Sequence, residues 1–148
     1  MAVDLNREIN SSRVLNAPLA VVYNLFANPS HLKKWWGPKG FTNTFHEFDL
    51  QPQGKWVLTM HWPEKVNYEN SSVFKTVEPF KLIRWTRISQ PLFDMEVAFE
   101  EITDLETRIS FRMIFATAEE CEKVKPFAGP KNEENFDRLE MEIAKTVI

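Results

Sequence analysis

Between Phe93 and Phe115 the chain reads FDMEVAFEEITDLETRISFRMIF. Phe93, Met95, Val97 and Phe99 alternate with Asp94, Glu96, Ala98 and Glu100. Further on, Ile109, Phe111, Met113 and Phe115 alternate with Arg108, Ser110, Arg112 and Ile114. Successive strand residues point to opposite faces, so this is the pattern of two strands with one apolar side and one wet side. Thr103-Asp104 between them reads as a tight turn. Such a turn can join only antiparallel neighbours, because a parallel pair needs a long crossover. The stretch therefore predicts an antiparallel sheet whose apolar face requires a cover.

The same period runs toward the N-terminus. Lys81–Ile88 places Ile83 and Trp85 on one face, and Tyr68–Val77 is a strand ended by Glu78-Pro79. In Lys55–Trp62, the residues Trp56, Leu58, Met60 and Trp62 oppose Lys55, Val57, Thr59 and His61. Thr42–Leu50 precedes it, with turns at Gln51-Pro52-Gln53-Gly54 and Pro63-Glu64-Lys65. Before Thr42 the period is helical. Asn16-Ala17-Pro18 reads as a helix start with proline in the first helical position. Leu19, Val22, Tyr23 and Phe26 then form one stripe. Asn28-Pro29 caps a second helix in which Leu32, Trp35 and Trp36 share a face, and Gly37-Pro38 stops it. Arg7–Leu15 is a weaker first strand. From Ala118 the chain turns helical again, with breaks expected at Pro126 and at Gly129-Pro130. The last run, Lys131–Val147, carries a stripe of Phe136, Leu139, Ile143 and Val147, with Glu140, Glu142 and Lys145 off it. The expectation is an α+β domain spanning residues 1–148. A curved antiparallel sheet of about six to seven strands wraps a long C-terminal helix, with two short helices after the first strand.

The 148 residues suit one domain, and net charge is −3 with the signs interspersed. No basic run suggests nucleic acid. No signal-peptide pattern and no membrane-length apolar stretch is present, so a cytoplasmic location is expected. The single cysteine, Cys121, allows no internal disulfide and lies among Glu119, Glu120 and Glu122, which disfavour its thiolate. His31, His46 and His61 match no metal-ligand spacing and read as surface or rim residues. No nucleophile elbow, phosphate loop or zinc motif occurs. Catalytic residues, metal and cofactor are therefore expected to be absent.

Several strings resemble the activator of heat-shock-protein-90 ATPase homologue (AHSA-like) family, in the START and birch-pollen-allergen (SRPBCC) superfamily. They are Ala17-Pro18 with Val21-Val22-Tyr23, Leu32 with Trp35-Trp36-Gly37-Pro38, and Phe48-Asp49-Leu50 through Gly54-Lys55-Trp56. The Pro79 turn and Asp137-Arg138-Leu139 complete the set. Gln53-Gly54 stands where the family often has two glycines, and the Pro63-Glu64-Lys65-Val66 turn lacks one. The resemblance implies a helix-grip fold, a link to the stress response, and a space between sheet and helix that holds lipids, sterols or aromatic polyketides. It also implies a chaperone as a second kind of partner.

The 12 Phe, 5 Trp and 2 Tyr either line such a space or fill it as core. The candidate lining is Trp35, Trp56, Leu58, Met60, Trp85, Met95, Val97, Phe99, Phe111 and Met113, completed by Phe136, Leu139 and Ile143 of the last helix. A dry void of about 300 Å³ would cost on the order of 7 kcal/mol, which is most of a domain's stability of about 5–15 kcal/mol. A pocket here must be small, wet, ligand-filled or collapsed. Trp36 reads as an anchor of helix two to the sheet edge. The expected function is non-catalytic binding of a small apolar, lipid-like or aromatic ligand. The alternatives are a chaperone-associated interaction protein and a polyketide cyclase-like enzyme. The register turns Arg84, Arg108 and Arg112 outward, so a cyclase would need a slip that brings Glu47, Arg84 or Glu101 inward. Either a monomer or a homodimer paired through a sheet edge is compatible with this reading.

Overall fold

The alternation from Phe93 to Phe115 forms the expected hairpin. Its strands are β6, Asp94–Thr103, and β7, Glu106–Ile114, with Met95 opposite Met113 and Val97 opposite Phe111. The computed structural model describes residues 5–146. The other strands are β1, Glu8–Leu15; β2, Thr42–Phe48; β3, Lys55–Trp62; β4, Val66–Glu78; and β5, Leu82–Arg87. All seven pair antiparallel in the order β1-β7-β6-β5-β4-β3-β2. The strands from β2 to β7 form a meander, and β1 closes the far side against β7. Register shifts at Phe45/Glu47, Phe74/Thr76 and Glu101/Thr103 bend the ladders and curve the sheet.

Helix α1, Leu19–Ala27, and helix α2, Pro29–Trp35, carry the chain from β1 to the opposite edge. Pro18 is the N-cap residue of α1, in extended backbone, rather than its first helical residue. Its carbonyl accepts from the amides of Val21 and Val22, and the missing N–H of proline is not needed there. Asn28 caps α2 as expected, its side chain accepting from the Ser30 amide at 3.0 Å. Val22, Tyr23, Leu25 and Phe26 of α1 and Leu32 and Trp35 of α2 are buried.

The sequence expectation fails at the last helix, α3, which runs unbroken over Ala118–Thr146 with Pro126 and Pro130 inside it. Both prolines are exposed. The Glu122 and Pro126 carbonyls that lose a helical donor therefore sit on the solvent side, where water can serve them. The buried stripe runs through Cys121, Ala128, Asn135, Phe136, Leu139 and Ile143 on the other face. That stripe is also wider than expected: Glu142 is only 7% exposed, and its carboxylate lies 3.2 Å from Lys145 Nζ. Val147 lies outside the described residues.

The outward register holds. Arg84 pairs with Asp94 at 2.8 Å and Arg108 with Glu100 at 2.7 Å. Arg112 joins Glu8 at 2.7 Å and Glu96 at 3.1 Å. Glu47 and Glu101 are exposed. Inward-facing residues of the strands, α1, α2 and α3 form one apolar cluster. Among the described residues no helix is long and apolar enough to cross a membrane.

Candidate functional site

Strand parity aims Trp56 and Leu58 of β3, Trp85 of β5, Met95, Val97 and Phe99 of β6, and Phe111 and Met113 of β7 at the concave side. The structure buries all eight. Phe136, Leu139 and Ile143 of α3 are buried against the same cluster with Trp35, and Met60 packs at its margin. The residues of the candidate lining are thus brought together. They touch: Phe111 and Phe136 are 4.6 Å apart between ring centroids, and Trp56 and Trp85 are 5.2 Å apart.

What lies between them is Trp36. The sequence reading seats it at the sheet edge, but its indole stands among five rings. Its centroid is 5.2 Å from Trp56, 5.8 Å from Trp35 and Trp85, and 5.9 Å from Phe26 and Phe111. The reason is local. Helix α2 ends at Trp35, so Trp36 leaves the helical stripe in extended backbone (φ −67°, ψ 137°) and turns inward. Trp35 instead fixes the helix pair, its indole N–H donating to the Leu25 carbonyl at 2.9 Å. Phe26 and Phe74 are also buried in the cluster, and Phe45 and Phe48 pack on it. The helical stripe of α1 carried the signal for Phe26, whereas Phe74 follows two polar inward residues of β4, Asn70 and Ser72, and had no such signal.

Trp36 is half-buried, and among the described residues its indole N–H has no acceptor. Trp56 is different. Its Nε1 is buried, the residue is 2% exposed, and no described residue accepts its hydrogen bond. A buried donor left unmade costs about 1–3 kcal/mol.

The segment after α2 is clamped by α3. Arg138 Nη1 donates to the carbonyls of Trp36, Gly37 and Pro38, each at 3.0 Å. Its Nη2 donates to Lys34 O at 3.0 Å and Phe41 O at 2.9 Å. Burial pushes its pKa down, partly offset by the nearby Glu142 carboxylate. Asn135 accepts from the Gly37 amide at 3.3 Å and donates to Trp35 O at 2.8 Å. Glu134 accepts from the Lys39 amide at 3.1 Å. Asn43 donates to Lys33 O and to Trp36 O, at 3.0 and 2.9 Å. Gly37 and Gly40 have φ of 95° and 92°, which side-chain-bearing residues rarely adopt.

Beside this segment a cleft of about 250 Å³ opens between Pro38, Lys39 and Phe41, the β3–β4 pair at Trp62 and Tyr68, and Lys131 and Glu134 of α3. None of the candidate lining residues borders it.

His46 and His61 lie on the outer face. His46 bonds Thr59 at 2.8 Å, and His61 bonds Thr44 and Asn67, each at 2.8 Å. Among the described residues no group of histidine, cysteine and carboxylate side chains could hold a metal ion.

The family model for the activator of Hsp90 ATPase homolog 1-like protein matches residues 16–144. A crystal structure of a Nitrosomonas europaea protein superposes with a TM-score of 0.88 at 20% identity, covering 99% of each chain. The AHSA1 protein of Silicibacter pomeroyi gives 0.75 at 15% identity, over 94% of this chain and 99% of its own. The AHSA1-like protein of Aeromonas hydrophila gives 0.75 at 12% identity, over 94% and 93%. At these identities the likeness is one of fold. No curated protein matches the chain.

Proposed function

The chain belongs to the activator of Hsp90 ATPase homolog 1-like family of the SRPBCC superfamily, and on that premise we propose that it is a non-catalytic cytoplasmic binder of a small apolar molecule, lipid-like or aromatic, held between the sheet and α3. The observation that carries this reading is the indole N–H of Trp56, unpartnered among the described residues and buried within an aromatic interior. Ligand sites are mostly apolar with a few polar groups that fix orientation. Trp56 supplies such a group, and it suits an apolar molecule bearing one acceptor oxygen. The ring that closes the interior is Trp36, packed on Trp56 at 5.2 Å and half-buried. Filling the space with a side chain avoids the cost of a void. A ligand that displaces the Trp36 indole would exchange one set of ring contacts for another.

The test compares 2-acetylnaphthalene with 2-ethylnaphthalene, two probes of similar shape that differ in a carbonyl acceptor. Both are titrated against the wild type and Trp56→Phe. Both are expected to bind at one per chain. The ratio of their affinities should fall about fivefold in the variant, the equivalent of one net hydrogen bond of roughly 1 kcal/mol. Taking the ratio removes any general effect of the substitution on stability. An unchanged ratio, or no binding of either probe, would refute the reading.

The family's name favours a second reading, contact with a chaperone of the Hsp90 type through an outer face. Adding the purified chain to such a chaperone and measuring ATP hydrolysis decides it, and an unchanged rate counts against it.

A further inference from the structure

We infer that the cleft beside the Arg138-clamped segment is a second binding site, for a flat aromatic molecule that carries one anionic group. One wall is aromatic. Phe41 lies 5.0 Å from Trp62 and 5.9 Å from Tyr68 between ring centroids, both pairs tilted. Tyr68 is 50% exposed, a large apolar surface for water to cover. The opposite wall carries Lys131 from α3, and Lys39 stands on the loop. Among the described residues neither ammonium group has an ion-pair partner, whereas Lys123 and Lys145 of the same helix pair with Glu119 and Glu142. Glu134 accepts from the Lys39 amide but keeps its charge, so the cleft sets two ammonium groups against one carboxylate and its lining is net positive.

The site is built before any ligand arrives. Arg138 fixes the carbonyls of Pro38 and Phe41. Gly40 lets Trp62 lie flush on the loop, since a Cβ there would stand 2.9 Å from the indole. Preorganised walls spare a ligand the cost of ordering them. The volume of about 250 Å³ falls just below the roughly 300–1,000 Å³ of drug-sized sites, so the occupant is one or two fused rings. An aromatic face flanked by two ammonium groups and one carboxylate suits an arene with a carboxylate, sulfonate or similar group.

The test uses a matched pair of dyes, 8-anilino-1-naphthalenesulfonate and its neutral parent N-phenyl-1-naphthylamine, with the full chain. The sulfonate is expected to bind at one per chain, with affinity that falls as salt is raised. Replacing Lys39→Gln and Lys131→Gln together should weaken the sulfonate about five- to tenfold and leave the neutral dye unchanged. Tyr68→Ser should also weaken the sulfonate, and Trp56→Phe should not. The replaced lysines and Tyr68 are exposed, so thermal melts of these variants should overlay the wild type. Sulfonate binding that ignores both lysines, or that Trp56→Phe abolishes, overturns the site, as does no binding at all. These outcomes are independent of the interior: failure of the naphthalene pair above leaves this cleft standing, and the reverse also holds.

Discussion

Replacing Arg138 by methionine keeps the apolar stem of the side chain and removes all five hydrogen bonds that its guanidinium makes to the 34–41 segment. Five carbonyls lose a partner. They do not count equally. Lys34 O makes an exposed bond and returns to water, and Trp36 O keeps the Asn43 amide at 2.9 Å. Pro38 O keeps the Phe41 amide at 3.2 Å, so the carbonyls of Gly37 and Phe41 remain, both in partly buried bonds. A bond to a charged donor contributes about 1.5–3 kcal/mol, but Gly37 O shares its nitrogen with the carbonyls of Trp36 and Pro38 and cannot claim the full amount. The variant should therefore lose about 2–4 kcal/mol, a large part of a typical domain's roughly 5–15 kcal/mol. Urea unfolding measures it, with an unchanged slope showing that the same surface unfolds. Hydrogen exchange should speed up first at the amides of Gly37, Lys39 and Phe41. Arg138→Lys should recover only part of the loss, because a single ammonium cannot span both nitrogen positions. A loss below about 1 kcal/mol would mean that water serves these carbonyls as well as the guanidinium does, and the clamp would have no energetic meaning.

Gly40→Ala places a Cβ 2.9 Å from the Trp62 ring at a φ of 92°, and should cost about 1–2 kcal/mol in a thermal melt. Pro126→Ala restores a helical N–H facing the Glu122 carbonyl at an exposed site and should raise stability by about 1–2 kcal/mol, read by urea unfolding. The hydrogen bonds from Arg112 hold the Glu8 carboxyl below its ordinary value of 4.5, against the burial that would raise it. A lowered folded-state pKa adds stability that is present above 4.5 and is lost as pH falls through the folded value. Arg112→Gln should therefore flatten the pH dependence of urea stability below about pH 4.5, and an unchanged acid limb would show that the pair contributes nothing to it.

The strands were legible because period two is a property of neighbours in sequence. Each alternating residue from Met95 to Met113 landed on its expected face. Three of the misreadings share a different cause. Pro126 and Pro130 look like breaks when judged by local propensity, but whether a proline breaks a helix depends on which side its orphaned carbonyl faces, and that is set by packing. Trp36 looks like a helix residue beside Trp35, yet the helix ends between them, and one residue of slippage carried an indole from the edge to the centre. Arg138 was visible only as part of a resemblance. Its carbonyl partners lie 97 to 104 residues away, and no spacing rule connects them. The candidate lining followed from alternation. The unpartnered N–H of Trp56 and the cleft at Phe41, Trp62 and Tyr68 depend on which rings meet in space, and nothing local encodes that.

The residue that closes the interior is held in two unlike ways. Arg138 and Asn43 fasten the carbonyl of Trp36, while among the described residues its indole makes packing contacts and no hydrogen bond. The backbone can stay where it is while the ring moves. Exchange with the interior would then be a rotation about side-chain bonds that leaves the clamped backbone in place. On the proposed reading of an apolar ligand in the interior, its release would wait on one indole, and its residence time would record how well that ring repacks behind it.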